Sequence, residues 1–156
     1  FYNQKDIEEI ISRSARLLGV DIETKAVKEV ALASRFTPRV ANRLLKRVRD
    51  FSQMSESDRV TECVAKDALK MLEIDDKGLE ETDRKILLAI INNFDGGPVG
   101  LKSVAASISE EEGTIEDVYE PYLMQMGFLA RTPKGRIVTS RGFEHLGLKD
   151  KKPKLL

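Results

Sequence analysis

The sequence predicts a mainly α-helical chain, with a four-helix bundle over residues 1–77 and three helices ending in a short β-hairpin over residues 78–148. Three observations carry that expectation. Apolar residues recur at three- and four-residue steps through most of the chain, which is the period of a helix with one buried face. The polar, glycine-ended stretch Asp75-Asp76-Lys77-Gly78 separates two sets of such segments and reads as turn residues rather than an acid/base pair. Residues 128–132 and 136–139 instead read as two short strands around Pro133-Lys134-Gly135.

The elements follow in order. Ile7, Ile10, Ile11, Leu17 and Leu18 mark a first helix, with Gly19 placed to stop it. Ala26, Val27, Val30 and Ala31 mark a second. Thr37 is placed to cap a third and Pro38 is preset for its first turn, after which Val40, Ala41, Leu44, Leu45 and Val48 form its core stripe. Thr61 is placed to cap a fourth, turning Val64, Ala68, Met71 and Leu72 inward. Beyond the linker, Thr82 is placed to cap a helix with Ile86, Leu87, Ile90 and Ile91, which Gly96-Gly97-Pro98 breaks. A short helix carries Leu101, Val104, Ala105 and Ile108. A third carries Ile115, Val118, Tyr119, Tyr122, Leu123 and Met126, ends at Gly127, and contains Pro121, which removes a donor and kinks it. Three helices followed by a hairpin is the order of a winged helix.

Equal totals of 26 Lys+Arg and 26 Asp+Glu conceal an uneven distribution. Cations against anions number 15 to 14 over residues 1–77, 3 to 10 over 78–127 and 8 to 2 over 128–156, so local fields matter more than net charge. One cysteine, Cys63, excludes an internal disulfide and a cysteine zinc site, suits a reducing cytosol, and reads as a buried or half-buried thiol. His145 has no histidine or cysteine partner placed for a metal and reads as a surface or helix-end residue. No apolar run approaches the roughly 20 residues of a membrane helix, so the chain reads as soluble, with no membrane partner. The start Phe1-Tyr2-Asn3 reads as that of a fragment, and residues 149–156, rich in lysine, as a disordered basic tail.

Two basic clusters carry the chemistry. In the Thr37 helix the core stripe turns Arg39, Arg43, Lys46 and Arg47 toward another surface. Arg39 then lies in the first turn, where the helix dipole disfavours a cation. The segment is either a solvated basic face or an anion site. In the hairpin, Arg131, Lys134 and Arg136 sit at and beside a tight turn, either for solubility or to reach a phosphate backbone. The helix before it places Glu116, Asp117 and Glu120 outward, after Glu110, Glu111 and Glu112; acids there would repel phosphates, so sequence-specific base reading is not expected.

Arg35 followed by Thr37-Pro38-Arg39-Val40-Ala41-Asn42-Arg43-Leu44-Leu45-Lys46-Arg47-Val48-Arg49-Asp50 resembles the sensor-2 segment of the RuvB family, bacterial Holliday-junction branch-migration motors of the AAA+ class. Gly97-Pro98-Val99-Gly100-Leu101, Thr114-Ile115-Glu116-Asp117-Val118-Tyr119-Glu120-Pro121-Tyr122-Leu123, Gly127-Phe128-Leu129, Arg131-Thr132-Pro133-Lys134-Gly135-Arg136 and His145-Leu146-Gly147-Leu148 resemble its C-terminal domain in the same order. Two positions depart from the family pattern: Phe36 stands where glycine is usual, and Glu112 where a basic residue is common.

The resemblance implies a small AAA+ lid over 1–77 and a winged-helix DNA-binding domain over 78–148. It implies that Arg39 is the sensor-2 arginine near the terminal phosphates of ATP, with Tyr2 and Pro38 near the adenine; Tyr2 reads equally as a frayed terminal aromatic. It places Arg131, Arg136, Lys134 and Thr132 on duplex DNA. No Gly-x-x-x-x-Gly-Lys-Ser/Thr loop occurs, so ATP and Mg would be held through a missing domain and no catalytic residue is expected here. The chain alone is expected to be inactive. The partners implied are duplex DNA at Holliday junctions, RuvA, and identical copies in a cytoplasmic hexamer. The competing reading is a winged-helix transcriptional regulator, or an adaptor using the acidic face.

Overall fold

The computed structural model describes residues 2–150, so most of the lysine-rich tail, residues 151–156, lies outside the described residues. The chain divides into two compact units, Phe1–Glu80 and Glu81–Leu156. Both are mainly helical.

The first unit contains α1 (Gln4–Leu17), α2 (Thr24–Ala33), α3 (Pro38–Met54) and α4 (Glu62–Met71). Its core joins Ile7, Ile11, Val30, Leu45 and Val48, all essentially without solvent contact. Each such side chain contributes about 1.5–3 kcal/mol relative to an exposed one. α1 opens with a capping box: the Asn3 side chain accepts from Asp6 N–H at 3.0 Å and Asp6 accepts from Asn3 N–H at 2.8 Å. The Ser14 hydroxyl donates to Asn42 Oδ1 at 2.6 Å, fixing α1 against α3. The loops before α2 and α4 are joined by a parallel bridge between Ile22 and Val60. In the turn after α4, Asp75 Oδ1 accepts from the Lys77 and Leu79 N–H groups, each at 2.9 Å.

Several expected core positions differ. Leu17 and Leu18 are exposed, because α1 ends at Leu17 and Gly19 turns the chain away at φ +67°. In α4 the inward residues are Ala65, Ala68 and Leu69, with Val64 partly buried against them; Met71 and Leu72 are exposed at its end. Cys63 is exposed rather than buried, since it lies on the opposite side of α4 from Ala65. Thr61 does cap α4, accepting from Val64 N–H at 3.2 Å. Thr37 occupies the cap position of α3 but its hydroxyl donates back to Arg35 O at 3.1 Å, so it caps no amide.

The second unit contains α5 (Glu81–Phe94), α6 (Leu101–Ile108), α7 (Glu112–Thr114), a π-helical turn (Ile115–Tyr119), α8 (Glu120–Gln125), β1 (Leu129–Thr132), β2 (Gly135–Val138) and α9 (Ser140–His145). β1 and β2 pair antiparallel, with Arg131 opposite Arg136 and Thr132 opposite Gly135. Val99 adds a third short rung: its N–H donates to Arg136 O at 3.0 Å and it accepts from Arg136 N–H at 2.7 Å. Close approach there demands glycine. A Cβ on Gly97, which has φ +93°, would lie 2.2 Å from Arg136 O, and one on Gly135, φ +130°, would lie 2.4 Å from Val99 O. The Gly-Gly-Pro stretch read as a helix breaker thus also leads into the isolated bridge that joins Val99 to the hairpin. α9, which the strand pattern did not foretell, starts at Thr139, whose side chain accepts from Gly142 N–H at 3.2 Å. His145 ends it, stacked on Phe128 with ring centroids 4.8 Å apart.

The single helix expected from Ile115 to Met126 is interrupted by the π turn. Pro121 has no N–H to give to the preceding turn, and the Glu120 N–H reaches five residues back, to Ile115 O. The wider turn shifts the register. Val118, expected in the core, is 55% exposed, and Glu120, expected outward, is 1% exposed.

Candidate functional site

α3 presents Arg39, Arg43, Lys46 and Arg47 on the side away from its buried Ala41, Leu44, Leu45 and Val48. Arg39 has no ion-pair partner among the described residues. Its first turn carries no acidic residue and no side-chain cap. An exposed cation beside uncapped amides at a helix N-terminus fits an anionic group such as a phosphate. Two left-handed residues set the entry to that turn: Arg35 at φ 55° and Phe36 at φ 54°. That conformation explains why glycine suits position 36, since a side chain there costs about 1–2 kcal/mol. Arg35 Nε donates to Gly78 O at 3.2 Å and holds the entry loop in place.

Tyr2 lies just before α1 and is 53% exposed. It borders an open groove of about 550 Å³ with Asp6, Glu9, Ile10 and Arg13. Pro38 and Arg39 are not among that lining, so the three residues expected at a nucleotide do not share this groove. Tyr2 and Ile10 give the groove one aromatic and one aliphatic contact, while Asp6, Glu9 and Arg13 make most of its lining charged.

In the second unit the hairpin arginines converge on one carboxylate. Arg131 Nε and Nη2 donate to Glu120 Oε2 at 3.1 and 2.6 Å. Arg136 Nε donates to Oε1 at 2.7 Å and its Nη2 to Oε2 at 3.3 Å. Glu116 accepts a further bond from Arg131 Nη2 at 2.9 Å and lies 3.7 Å from Arg136 Nη2. Burial alone would push the Glu120 carboxyl up, but hydrogen bonds from Arg136 and Arg131 and their charges outweigh it and hold it below the usual glutamate range. Hydrogen bonding to Glu120 in turn raises the Arg131 pKa.

This geometry corrects the view of Glu120 as a phosphate-repelling acid on an outward face: its charge is spent on the two arginines. Arg131 keeps 44% of its side chain exposed, whereas Arg136 keeps 16%. Thr132 works inside the turn, its hydroxyl donating to Gly135 O at 2.8 Å and accepting from Lys134 N–H at 3.3 Å. Lys134 is exposed at the tip. The two arginines and two glutamates sum to no formal charge, which leaves Lys134 as the uncompensated cation of the hairpin. Glu120 was the residue that sequence reasoning misplaced; the Glu-Pro pair was its available signal, because proline inside a helix withholds an N–H from the preceding turn.

The RuvB AAA lid domain family matches residues 2–75, and the RuvB C-terminal winged helix domain family matches residues 76–147. The chain belongs to the RuvB family. It is 52% identical over 148 residues to the Holliday junction branch migration complex subunit RuvB of Limosilactobacillus reuteri, covering 95% of this chain and 44% of that protein. It is 55% identical to the Chloroflexus aurantiacus subunit of the same name, covering 95% of this chain and 42% of the relative. The chain therefore spans less than half the length of these RuvB relatives. The solved Thermotoga maritima RuvB Holliday junction branch migration motor superposes with a TM-score of 0.92 at 50% identity, over 96% of this chain and 50% of that one. The mainly helical lid-plus-winged-helix fold expected from the sequence is thereby shown, and these RuvB matches give no support to a regulator or adaptor. No helix among the described residues is long and apolar enough to cross a membrane.

Proposed function

We propose that this chain is the lid and DNA-binding portion of an ATP-driven Holliday-junction branch-migration motor acting in recombination and DNA repair. The whole protein is then an ATP-dependent DNA helicase, while residues 1–77 and 78–148 serve as its lid and its winged helix. The observation that carries the reading is Arg39: exposed, unpaired, and held at an uncapped helix start in a chain of the RuvB family.

Arg39 would stabilise the terminal phosphates of ATP by charge, while Pro38 fixes the first turn of α3 and Tyr2 offers an aromatic face to the adenine. Bound ATP and Mg supply the phosphoryl chemistry, held mainly by residues outside this chain. The lid senses occupancy, and the winged helix passes the motion to duplex DNA. There, Arg131, Arg136, Lys134 and Thr132 meet the backbone rather than base edges, as a motor indifferent to sequence requires. RuvA, a homo-hexamer and a cytoplasmic setting complete the proposal, and the chain alone turns over no ATP.

The test of the DNA-binding half is equilibrium binding of this chain to duplexes of several sequences across a salt series. Weak, sequence-indifferent binding is expected, with Lys134→Ala lowering the logarithmic salt slope by about 1. Tight selection of one sequence would contradict it.

A further inference from the structure

Resting on the proposed DNA contact, we propose that Glu120 is a positioning residue for the hairpin, clamping Arg131 and Arg136 into one rigid, outward-edged pair for the duplex backbone. The two guanidinium groups make four donations to this one carboxylate, three of them on Oε2 and one on Oε1. Both arginines use the same edge, Nε and Nη2, for the purpose. Neither Nη1 has a protein partner among the described residues. The two arginines are cross-strand partners, so they stand on one face of the hairpin, where like charges alone would drive the strands apart.

The carboxylate is itself held firmly. Glu120 is the first residue of α8, and the π turn that carries it inward exists because Pro121 follows. It is 1% exposed, so its position is set by packing rather than by its partners alone. A long arginine side chain loses rotamer entropy on meeting a phosphate; one already clamped loses less, which is the advantage of preorganisation. A glutamine cannot substitute. Its amide nitrogen would present donors to two guanidinium groups that are donors only.

Simple electrostatics and positioning predict opposite signs, which makes the inference testable. Removing a negative charge beside the duplex should tighten binding if Glu120 is only a counter-charge. In the 156-residue chain, Glu120→Gln is expected to weaken binding to a 20-base-pair duplex about fivefold at low salt, a loss of affinity attributed to lost preorganisation. Circular dichroism at the assay temperature checks that the variant is folded, and loss of the slow-exchanging Arg131 and Arg136 Nε–H signals in NMR reports the broken clamp. Should Glu120→Gln fail to fold, Glu120→Asp keeps the charge but withdraws the carboxylate by one methylene and should still weaken binding. Equal or tighter binding by a folded Glu120 variant, with Arg131→Ala still weakened, overturns the inference alone. Unchanged binding in Arg131→Ala overturns the wing reading beneath it.

Discussion

Arg131 and Arg136 are direct cross-strand partners whose guanidinium groups both bind the buried carboxylate of Glu120. The fold of the hairpin and its charge are therefore one problem. Truncating Glu120 to alanine leaves two cations facing each other without their common acceptor. Because Arg131 stays 44% exposed and Glu116 remains beside both arginines, the expected loss is on the order of 1–2 kcal/mol. Amide hydrogen exchange across Leu129–Thr132 measures it; protection unchanged from the native chain would contradict the account.

The same carboxylate confers a pH dependence. Its pKa in the folded chain lies below the unfolded value, so its stabilisation is fully present above the ordinary glutamate range, near about 4.3, and is lost as pH falls through the depressed folded value. Thermal melts of the native chain and of Glu120→Gln should thus differ most near neutral pH and converge in acid. A gap that widens on acidification would show the sign to be wrong.

Gly135 at the hairpin and Gly113 in α7 separate crowding from ordinary propensity. Gly135→Ala would drive a Cβ to 2.4 Å from the Val99 carbonyl oxygen in a backbone conformation that alanine avoids. Its cost should reach about 3 kcal/mol, in the range of severe substitutions. Gly113→Ala meets nothing within 4 Å and carries no positive φ, so its cost should stay within about 0.5 kcal/mol of zero. Chemical denaturation of the two variants compares them directly, and similar stabilities would contradict the close packing of Val99 on the hairpin.

Phe36 offers a test of backbone strain at the entry to α3. At φ 54° a Cβ is disfavoured, yet the ring is half-buried. Comparing Phe36→Gly with Phe36→Ala removes the ring in both and changes only the backbone term. The glycine variant should be more stable than the alanine variant by about 1 kcal/mol. Equal stability in denaturant titrations would mean that the turn relaxes.

Much of this was legible in the residues themselves. The period of Ala41, Leu44, Leu45 and Val48 placed α3 and turned its cations outward, because a 17-residue amphipathic helix leaves few alternatives. Pro133-Lys134-Gly135 located the hairpin turn, since strand pairing there depends on local turn chemistry. Helix ends were read less well: Leu17, Met71 and Leu72 keep the period but lie exposed at the last turns of their helices. The larger miss was Glu120. A 3.6-residue period assigns it to the surface, and only the π turn enforced by Pro121 rotates it beneath the hairpin. The partnership of Gly97 and Val99 with Arg136 was likewise hidden, as it joins residues far apart in sequence.

In the proposed motor Arg39 answers to nucleotide phosphate, and the hairpin cations to DNA phosphate. The most direct measurement is DNA-stimulated ATP turnover in a full-length RuvB protein containing this chain, with Arg39→Ala compared against the native residue. Turnover should fall about tenfold or more, equivalent to some 1.4 kcal/mol of lost phosphate stabilisation, while duplex binding stays the same. Undiminished turnover with Arg39 removed would contradict the account.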